Sequence, residues 1–358
     1  MTDRRAFLSG MLAAGLCPQT TWAEAGSPDF LSAGLRPNGS YVLCGLNGNG
    51  EIVFELPLPD RGHAAAAHPT RAEAVAFARR PGTFALVIDC ATGRETARLH
   101  APADRHFYGH GTFSDDGDTL FTTENDYESG EGIIGIWDAR NGYQRIGEFF
   151  SGGTGPHDMK LMPDGQTLAV ANGGIETHPE AGRTKLNIPT MQPNLSYVSM
   201  SGEVVERIEL DQALRKNSIR HLAVAPDGTL AFAMQWQGDV VAHPPLLGLH
   251  RRGSKEILLE PPDRYLKRLV GYVGSVAISK AMDFVAATSP RGGVVHMYAT
   301  DTGDLLSQIE IEDVCGVAQT SVDFFLTSGL GKTFQNVLTG EKKTTEHAIK
   351  WDNHLIPV

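Results

Sequence analysis

The sequence lacks the features that mark membrane proteins and nucleic-acid-binding proteins. Its longest apolar run near the start, about residues 7–16, is too short to cross a bilayer as a helix. Lysine and arginine number 31 against 42 aspartates and glutamates, which gives a net charge of −11. Because an acidic surface repels phosphate backbones, we expect no nucleic-acid partner. Because the apolar run is too short to span a bilayer, we also expect no membrane insertion of the mature chain.

Cysteine and the common catalytic motifs are also scarce. The four cysteines form no C-x-x-C or C-x-x-C-H pattern, which excludes zinc ribbons and c-type haem attachment. Cys44, Cys90 and Cys315 allow at most one disulfide, and we expect most of them to be buried as small apolar side chains. The chain has no G-x-S-x-G, H-E-x-x-H or P-loop motif, so whether it is an enzyme stays open.

The first 25 residues have the pattern of an export signal. Arg4 and Arg5 precede a short apolar run, and Ala23-Glu24-Ala25 is a small-x-small cleavage site. Paired arginines followed by Phe-Leu resemble a Tat signal, although Asp3 occupies the position before them. We therefore expect a signal peptide at residues 1–25 and a periplasmic mature protein. Tat export carries folded proteins, which permits a cofactor to be loaded inside the cell.

Glycine is abundant, with 40 residues, and most of it lies in turn-like contexts between short apolar runs. Six segments repeat a strand, a tight turn and a second strand, followed by a third and a fourth strand. They begin at His63, His110, His157, His221, Ser275 and Gly316. Spacings of this size, with four strands per unit, are typical of β-propeller blades.

A seventh blade is predicted from the two ends of the chain. Residues 30–58 supply three strands, and the segment "HAIKWDNHLIPV" at the C-terminus supplies one. Joining them closes the ring and leaves no open sheet edge. The sequence therefore predicts one seven-bladed β-propeller with four-stranded antiparallel blades over residues 26–358, acting as a monomer. The extra residues between Asn172 and Asn194 are predicted to form a long loop within one blade.

The elements "PDGxxLAVA", "WDARNG" and "DxxTG" resemble those of WD40-like and YncE-like periplasmic propellers. The predicted Tat signal, "GHGTFSDDG", "GPHDMKLMPDG" and the terminal "KWDNHLIPV" resemble more closely the DUF1513 family. That resemblance implies an exported propeller of uncharacterised activity, often encoded beside periplasmic iron-uptake proteins. The resemblance therefore implies a genomic setting and does not identify a reaction.

Five histidines share one position of the repeat, at the start of the predicted innermost strand. Seven such positions should hold well under one histidine by chance, because the chain has 13 histidines in 358 residues. Innermost strands line the central channel of a propeller, so we expect these side chains to meet at its axis. They are His63, His110, His157, His221 and His354.

Such a ring predicts a transition-metal site. Neutral imidazoles bind copper, zinc, iron and nickel, whereas magnesium and calcium prefer oxygen ligands. Copper is favoured by its affinity for imidazole and iron by the implied setting, and a haem with one axial histidine is a third option. The alternative is a metal-free scaffold for a periplasmic protein partner, in which the histidines are copied capping residues. A lactonase-like enzyme has the right fold, but no acidic metal cluster is evident.

Four further residues are predicted to lie at the same mouth of the channel and to contact a cofactor. Arg105 and Tyr108 precede His110 in a predicted loop, Arg220 precedes His221, and Trp236 lies on a predicted rim loop. Asp158 follows His157, and strand alternation makes it a candidate for orienting a ligand rather than for binding the metal.

Overall fold

A computed structural model describes residues 20–78, 83–182, 184–338 and 342–358. Within these ranges the chain forms seven antiparallel sheets arranged as the blades of a propeller. Blade 1 contains β1 (Phe30–Leu35), β2 (Tyr41–Leu46), β3 (Ile52–Leu58), β28 (Lys350–Trp351) and β29 (Ile356–Pro357). Blade 2 contains β4 (Gly62–Ala67), β5 (Glu73–Ala78), β6 (Phe84–Asp89) and β7 (Arg94–His100). The predicted seven-bladed fold is confirmed.

The remaining five blades have four strands each. Blade 3 contains β8 (Arg105–Phe113), β9 (Thr119–Asp126), β10 (Gly132–Asp138) and β11 (Gln144–Phe150). Blade 4 contains β12 (Pro156–Leu161), β13 (Thr167–Asn172), β14 (Asn194–Ser199) and β15 (Val204–Glu209). Blade 5 contains β16 (Asn217–Val224), β17 (Leu230–Trp236), β18 (Leu247–His250) and β19 (Ile257–Leu258). Blade 6 contains β20 (Ser275–Ile278), β21 (Phe284–Ser289), β22 (Val294–Ala299) and β23 (Leu305–Glu310), and blade 7 contains β24 (Val314–Gln319), β25 (Phe324–Ser328), β26 (Lys332–Gln335) and β27 (Lys343–Glu346).

Blade 1 is closed by strands from both chain ends, as the sequence predicts. Strand β28 pairs with β1 through Gly34 and Trp351, and β29 pairs with the same strand through Phe30 and Pro357. The closing strand is therefore interrupted between β28 and β29. His354 lies in that interruption.

Burial decreases from the inner to the outer strands of a blade. The second strand of blade 4, β13, is buried at every residue, because neighbouring blades cover both of its faces. The outermost strands β11 and β15 alternate between exposed and partly buried residues, as expected for strands with one face in solvent. The core thus lies between the blades, and the innermost strands are left to line the axis.

The Asp-Gly turns form as the sequence predicts. In the turn between β12 and β13, Asp164 Oδ1 accepts hydrogen bonds of 2.9 Å from the backbone N–H groups of Gln166 and Thr167. Gly165 adopts φ +62°, a conformation that glycine reaches without steric cost. Asp227 and Gly228 repeat this arrangement between β16 and β17.

Helices are few and short among the described residues. One α-helix spans Asp263–Leu266, and 3₁₀ helices span Pro179–Ala181, Gln212–Leu214, Val240–Ala242 and Lys267–Leu269. None of these helices has the length and apolar character needed to cross a membrane. The predicted long loop is confirmed, since residues 173–193 connect β13 to β14 and include one of the 3₁₀ turns.

The predicted signal peptide falls mostly outside the described residues, which begin at Thr20. Residues 20–25 lie against blade 2, where Trp22 Nε1 donates a 3.0 Å hydrogen bond to the backbone oxygen of His68. The cysteines that are described agree with the prediction, because Cys44, Cys90 and Cys315 are all buried and unbridged.

Candidate metal site at the propeller axis

Five histidines from five blades meet at the axis of the propeller. His63 lies on β4, His110 on β8, His157 on β12, His221 on β16 and His354 in the break of the closing strand. Neighbouring ring centroids are 4.5–6.2 Å apart. The convergence predicted from the repeat position is therefore present, and this set of five is called the histidine ring below.

A bulge interrupts the innermost strand at four members of the ring. His63, His110 and His157 lie in unpaired segments of their strands, and His221 directly follows one. A bulge inserts an extra residue and re-aims the side chains beside it, a device common next to functional sites. The bulges therefore turn these imidazoles toward the axis. The sequence placed every histidine at a strand start, which is wrong for three of them: β8 begins at Arg105, β16 begins at Asn217, and His354 lies between β28 and β29.

The two blades without a histidine fill the same position differently. Ser275 Oγ on β20 accepts a 3.2 Å hydrogen bond from the backbone N–H of Val317 in the next blade. The N–H of Gly316 on β24 donates to Thr327 Oγ1 at 3.0 Å. Both positions thus serve backbone packing, and the ring occupies the part of the axis that faces blades 1 to 5.

The ring contains two groups in which three imidazoles are close enough to share an ion. In each group the nitrogen atoms that could bind lie within 4.8 Å of one another. The first group, called the His triad below, is His63, His110 and His354, with centroid separations of 5.0, 4.5 and 4.6 Å. The second joins His110 to His157 and His221 at 5.1, 5.0 and 6.2 Å. The His triad is the more compact.

Several ring nitrogens are buried without a hydrogen-bond partner among the described residues. The five side chains are only 3–9% exposed. Within the described part of the chain, four of these nitrogens accept or donate no hydrogen bond: Nε2 of His110, Nε2 of His354 and both nitrogens of His221. Each unsatisfied buried polar group costs about 1–3 kcal/mol. A ligand for these nitrogens would offset that cost.

Asp158 orients His110. Its Oδ1 lies 3.1 Å from His110 Nδ1, and it is only 3% exposed. Burial by itself would raise the pKa of Asp158, but the Lys160 ammonium and His110 hold that pKa well below its ordinary value. The ionised carboxylate accepts the Nδ1 proton and leaves the lone pair of His110 on Nε2. Carboxylate–histidine pairs of this kind orient metal ligands in many proteins.

Arg220 acts on His157 in the opposite way. Its guanidinium lies 3.1 Å from His157 Nδ1. Because arginine only donates hydrogen bonds, Nδ1 must accept and the proton of neutral His157 must be on Nε2. As placed, His157 offers an N–H and no free lone pair. The neighbour of each histidine therefore decides whether that histidine can bind a cation.

Burial keeps three ring members neutral. It is the largest cause that lowers the pKa of His221 to about 3, with His110 adding to the effect. Burial also holds the pKa of His157 well below the ordinary value, assisted by Arg220, and that of His354, assisted by His110. Neutral imidazole is the form that binds transition metals.

The ring lies between two cavities of the central channel. One, called the vestibule, has a volume of about 230 Å³. The other, called the channel cavity, has a volume of about 330 Å³ and is lined largely by innermost strands. His221 lines both cavities, while His63 and His157 line the vestibule and His354 lines the channel cavity. The vestibule is lined by His63, Tyr108, His157, Lys185, Arg220, His221, Gln235, Tyr272, Arg291 and Asn353.

The four predicted cofactor-contacting residues divide into two pairs. Tyr108 and Arg220 line the vestibule, and their contact with a cofactor stays a prediction. Arg105 forms ion pairs with Glu148 at 2.5 Å and Asp126 at 3.6 Å, and Trp236 Nε1 donates to the backbone oxygen of Asp239 at 2.7 Å. Neither is among the described residues that line the vestibule. Both were predicted on loops, but they lie on β8 and at the end of β17, because these strands extend further toward the mouth than the repeat suggested.

Sequence reasoning missed five vestibule residues: Lys185, Gln235, Tyr272, Arg291 and Asn353. Lys185 belongs to the long loop of blade 4, and Arg291 lies in the shorter turn that connects the same two strands in blade 6. In a propeller these turns lie at the face where innermost strands begin. Their shared topological position was the signal that could have found them.

Comparisons with known proteins agree with the fold. The family described as "Protein of unknown function (DUF1513)" matches residues 56–358, most of the chain, so the chain belongs to that family. No curated protein sequence is significantly similar. Among solved structures, Kuenenia stuttgartiensis hydrazine synthase is similar with a TM-score of 0.61 and 12% identity, over 90% of this chain and 96% of that one. At this identity the likeness concerns the fold alone.

Proposed function

We propose that this DUF1513 protein binds one transition-metal ion in the His triad, between the vestibule and the channel cavity. The observation that carries the proposal is the convergence of five buried imidazoles, several with unsatisfied nitrogens. A tetrahedral ion with metal–nitrogen bonds of about 2.0–2.1 Å places the centroids of its imidazole ligands about 5 Å apart. The triad separations of 4.5–5.0 Å suit that arrangement.

The His triad is preferred over the second group for a chemical reason. The second group requires His157 as a ligand, and Arg220 holds the Nδ1 of that residue as an acceptor. His110 belongs to both groups but has a single available nitrogen, Nε2, because Asp158 occupies Nδ1. One ion per chain follows.

The ligand set selects the class of metal. Three neutral imidazoles with a carboxylate only behind one of them suit copper, zinc or iron, and not magnesium or calcium. Copper and iron are the metals the proposal favours for a role in metal handling or a linked redox step. The vestibule volume of about 230 Å³ favours a bare ion over haem, since pockets for drug-sized ligands measure about 300–1,000 Å³.

Metal analysis of protein exported through its own signal tests the proposal. We expect about one transition-metal ion per chain, and its loss in His110→Ala and His354→Ala. The matched control is His296→Ala, which removes a buried histidine of β22 whose Nε2 contacts Gln308 at 3.0 Å. A wild type that is metal-free and takes up neither copper, iron, zinc nor haem would favour the metal-free scaffold instead. A Soret absorption band would identify haem.

The proposal places the protein in the periplasm, with export in the folded state. Replacing the paired arginines, Arg4→Lys and Arg5→Lys, should retain the protein in the cytoplasm if the Tat pathway exports it. Cell fractionation with antibody detection measures this. Equal periplasmic amounts of variant and wild type would refute Tat export without affecting the metal site.

A further inference from the structure

The vestibule concentrates positive charge in an acidic protein. Lys185, Arg220 and Arg291 all line it, and none of the lining residues that the structure describes is an aspartate or glutamate. The chain as a whole carries a net charge of −11. Three cationic side chains from three different blades thus face one small cavity, against the overall charge of the molecule.

Arg220 is built into the wall of the cavity. It is only 8% exposed, and its Nε donates a 2.8 Å hydrogen bond to Ser218 Oγ. A second nitrogen of the guanidinium donates to His157 Nδ1 at 3.1 Å. These contacts fix the plane of the guanidinium beside the cavity. A fixed guanidinium offers its donors in a planar fork that matches carboxylate and phosphate oxygens.

The other two cations are positioned by neighbouring side chains. The Arg291 guanidinium lies 4.4 Å above the centre of the Tyr272 ring, and Asn353 Nδ2 donates a 3.0 Å hydrogen bond to the Tyr272 oxygen. Lys185 Nζ donates to Gln237 Oε1, so the long loop of blade 4 contacts blade 5 across the mouth. Arg291 and Lys185 are exposed, and they form the entrance above the buried Arg220.

From this arrangement we propose that the vestibule binds a small oxyanion, a carboxylate or a phosphate, with Arg220 at its base and Arg291 and Lys185 at its entrance. Arginine and lysine carry hydrogen-bond donors and no acceptors, and a tyrosine hydroxyl can donate as well. His157 adds a further donor, because its Nε2 carries the proton. The volume of about 230 Å³ sets the size of the anion at a few carboxyl groups or one phosphate.

The anion site does not require the metal. If the His triad is occupied as proposed above, the two sites support each other, since His63 belongs to the triad and lines the vestibule. The Arg220 guanidinium repels a cation in the ring, and a bound oxyanion would offset that repulsion. A metal ion that arrives as a carboxylate complex would then meet a matching site.

Isothermal titration calorimetry tests the anion site, with inorganic phosphate in one arm and citrate in the other. The full-length protein is used as wild type and as His110→Ala, a variant that lacks a triad ligand and leaves every described vestibule residue in place. We expect one binding site in both proteins. Loss of a charge-assisted contact should weaken binding about tenfold or more in Arg220→Gln and in Arg291→Gln.

The control is Arg98→Gln, which removes an exposed arginine of β7 that pairs with Glu95; its affinity should equal that of the wild type. Because Arg220 is buried and its replacement could impair folding, the exposed Arg291 decides the outcome. Wild-type affinity in Arg291→Gln, or no binding of either anion at millimolar concentration, would overturn the proposal. Anion binding by His110→Ala with the affinity of metal-free wild type supports it separately from the metal site.

Discussion

Histidines at one repeat position have different chemical roles because their neighbours differ. Asp158 accepts from His110 and leaves its Nε2 lone pair available. Arg220 donates a hydrogen bond to Nδ1 of His157, so the lone pair of that nitrogen is not available to a cation. Asp158 and Arg220 each lie in the blade that follows the blade of their histidine. The contact between adjacent blades therefore determines whether a histidine has a lone pair available. Under the proposed function, the number of histidines at this position therefore overestimates the number of metal ligands.

This difference predicts that two members of the ring respond unequally to the same substitution. His354→Gln removes a triad ligand and should abolish stoichiometric metal binding. His157→Gln should retain the ion, because the proposed coordination does not use that imidazole. Metal content per chain after desalting measures both variants. Loss of the ion in His157→Gln together with its retention in His354→Gln would show that Arg220 releases His157 and that the second group of three holds the ion.

At the level of strands and turns, the bulges are what convert repeated histidines into a site. The bulge of β8 contains Gly109, which adopts φ +98° directly before His110. A Cβ added at Gly109 would lie 2.6 Å from Cδ2 of His63, closer than real contacts allow. Only glycine lets these two blades bring His63 and His110 together.

Gly109→Ala should therefore lower both stability and metal affinity. Backbone strain at a positive φ costs about 1 kcal/mol or more, and the clash displaces His63 from the triad. The control is Gly142→Ala, which has φ +67° but no atom within 4 Å of the added Cβ. It should lose stability with unchanged metal affinity. Thermal unfolding and metal titration of both variants separate strain from displacement.

The turn before β5 carries a histidine with a structural role, and it gives the stability a pH dependence. His68 Nε2 lies 3.1 Å from the backbone oxygen of Gly117 in blade 3, and its Nδ1 accepts from the backbone N–H groups of Thr70 and Arg71. Burial, followed by the charge of Arg71, lowers the pKa of His68 to about 4, against the opposing effects of Gly117 and Asp116. The folded protein therefore holds His68 neutral.

Below a pH of about 6.5 the unfolded chain binds a proton on His68 that the folded chain excludes. The contribution of His68 to the free energy of unfolding should fall as the pH decreases from about 6.5 to about 4. Below about pH 4 this contribution should stay constant. His68→Gln keeps the hydrogen-bonding shape without the titration, so its melting temperature should fall less over this range. The exposed His100 supplies the control variant His100→Gln, which should follow the wild type. If the melting temperatures of the wild type and His68→Gln change with pH in parallel, the pH dependence does not come from His68.

The sequence predicted the elements better than the directions of their side chains. Turn residues such as Asp164 and Gly165 and the alternating outer strands have local signals, so blade number and closure could be predicted. A bulge depends on pairing with a partner strand, so the placement of Arg105 and Trp236 could not be predicted from the sequence. Lys185 and Arg291 are far apart in sequence and meet only because their turns occupy equivalent positions in two blades.

On the scale of the whole molecule, ring closure and the site depend on the same nine residues, 350–358. Strands β28 and β29 pair with β1, and Ser32 Oγ of β1 donates a 2.9 Å hydrogen bond to the backbone oxygen of His354. Trp351 is buried in the core between blades 7 and 1. Closure of the ring thus sets the position of His354, the last member of the His triad.

This arrangement predicts that metal binding strengthens closure. An ion at about 100 times its dissociation constant should add about 2.7 kcal/mol to the free energy of unfolding. His354→Ala should keep the metal-free melting temperature near that of the wild type and lose the increase with metal. Removing residues 350–358 should lower the melting temperature even without metal, because it uncovers the edge of β1. Differential scanning calorimetry with and without metal distinguishes the three proteins.

The interrupted strand that carries His354 also fixes when an ion can be acquired. His63 and His110 are synthesised first, and His354 follows 244 residues after His110. A growing chain therefore has no complete triad until the strand that closes blade 1 is made. Under the proposed function, the metal enters once the ring has closed, so tight binding of the ion reports a closed molecule.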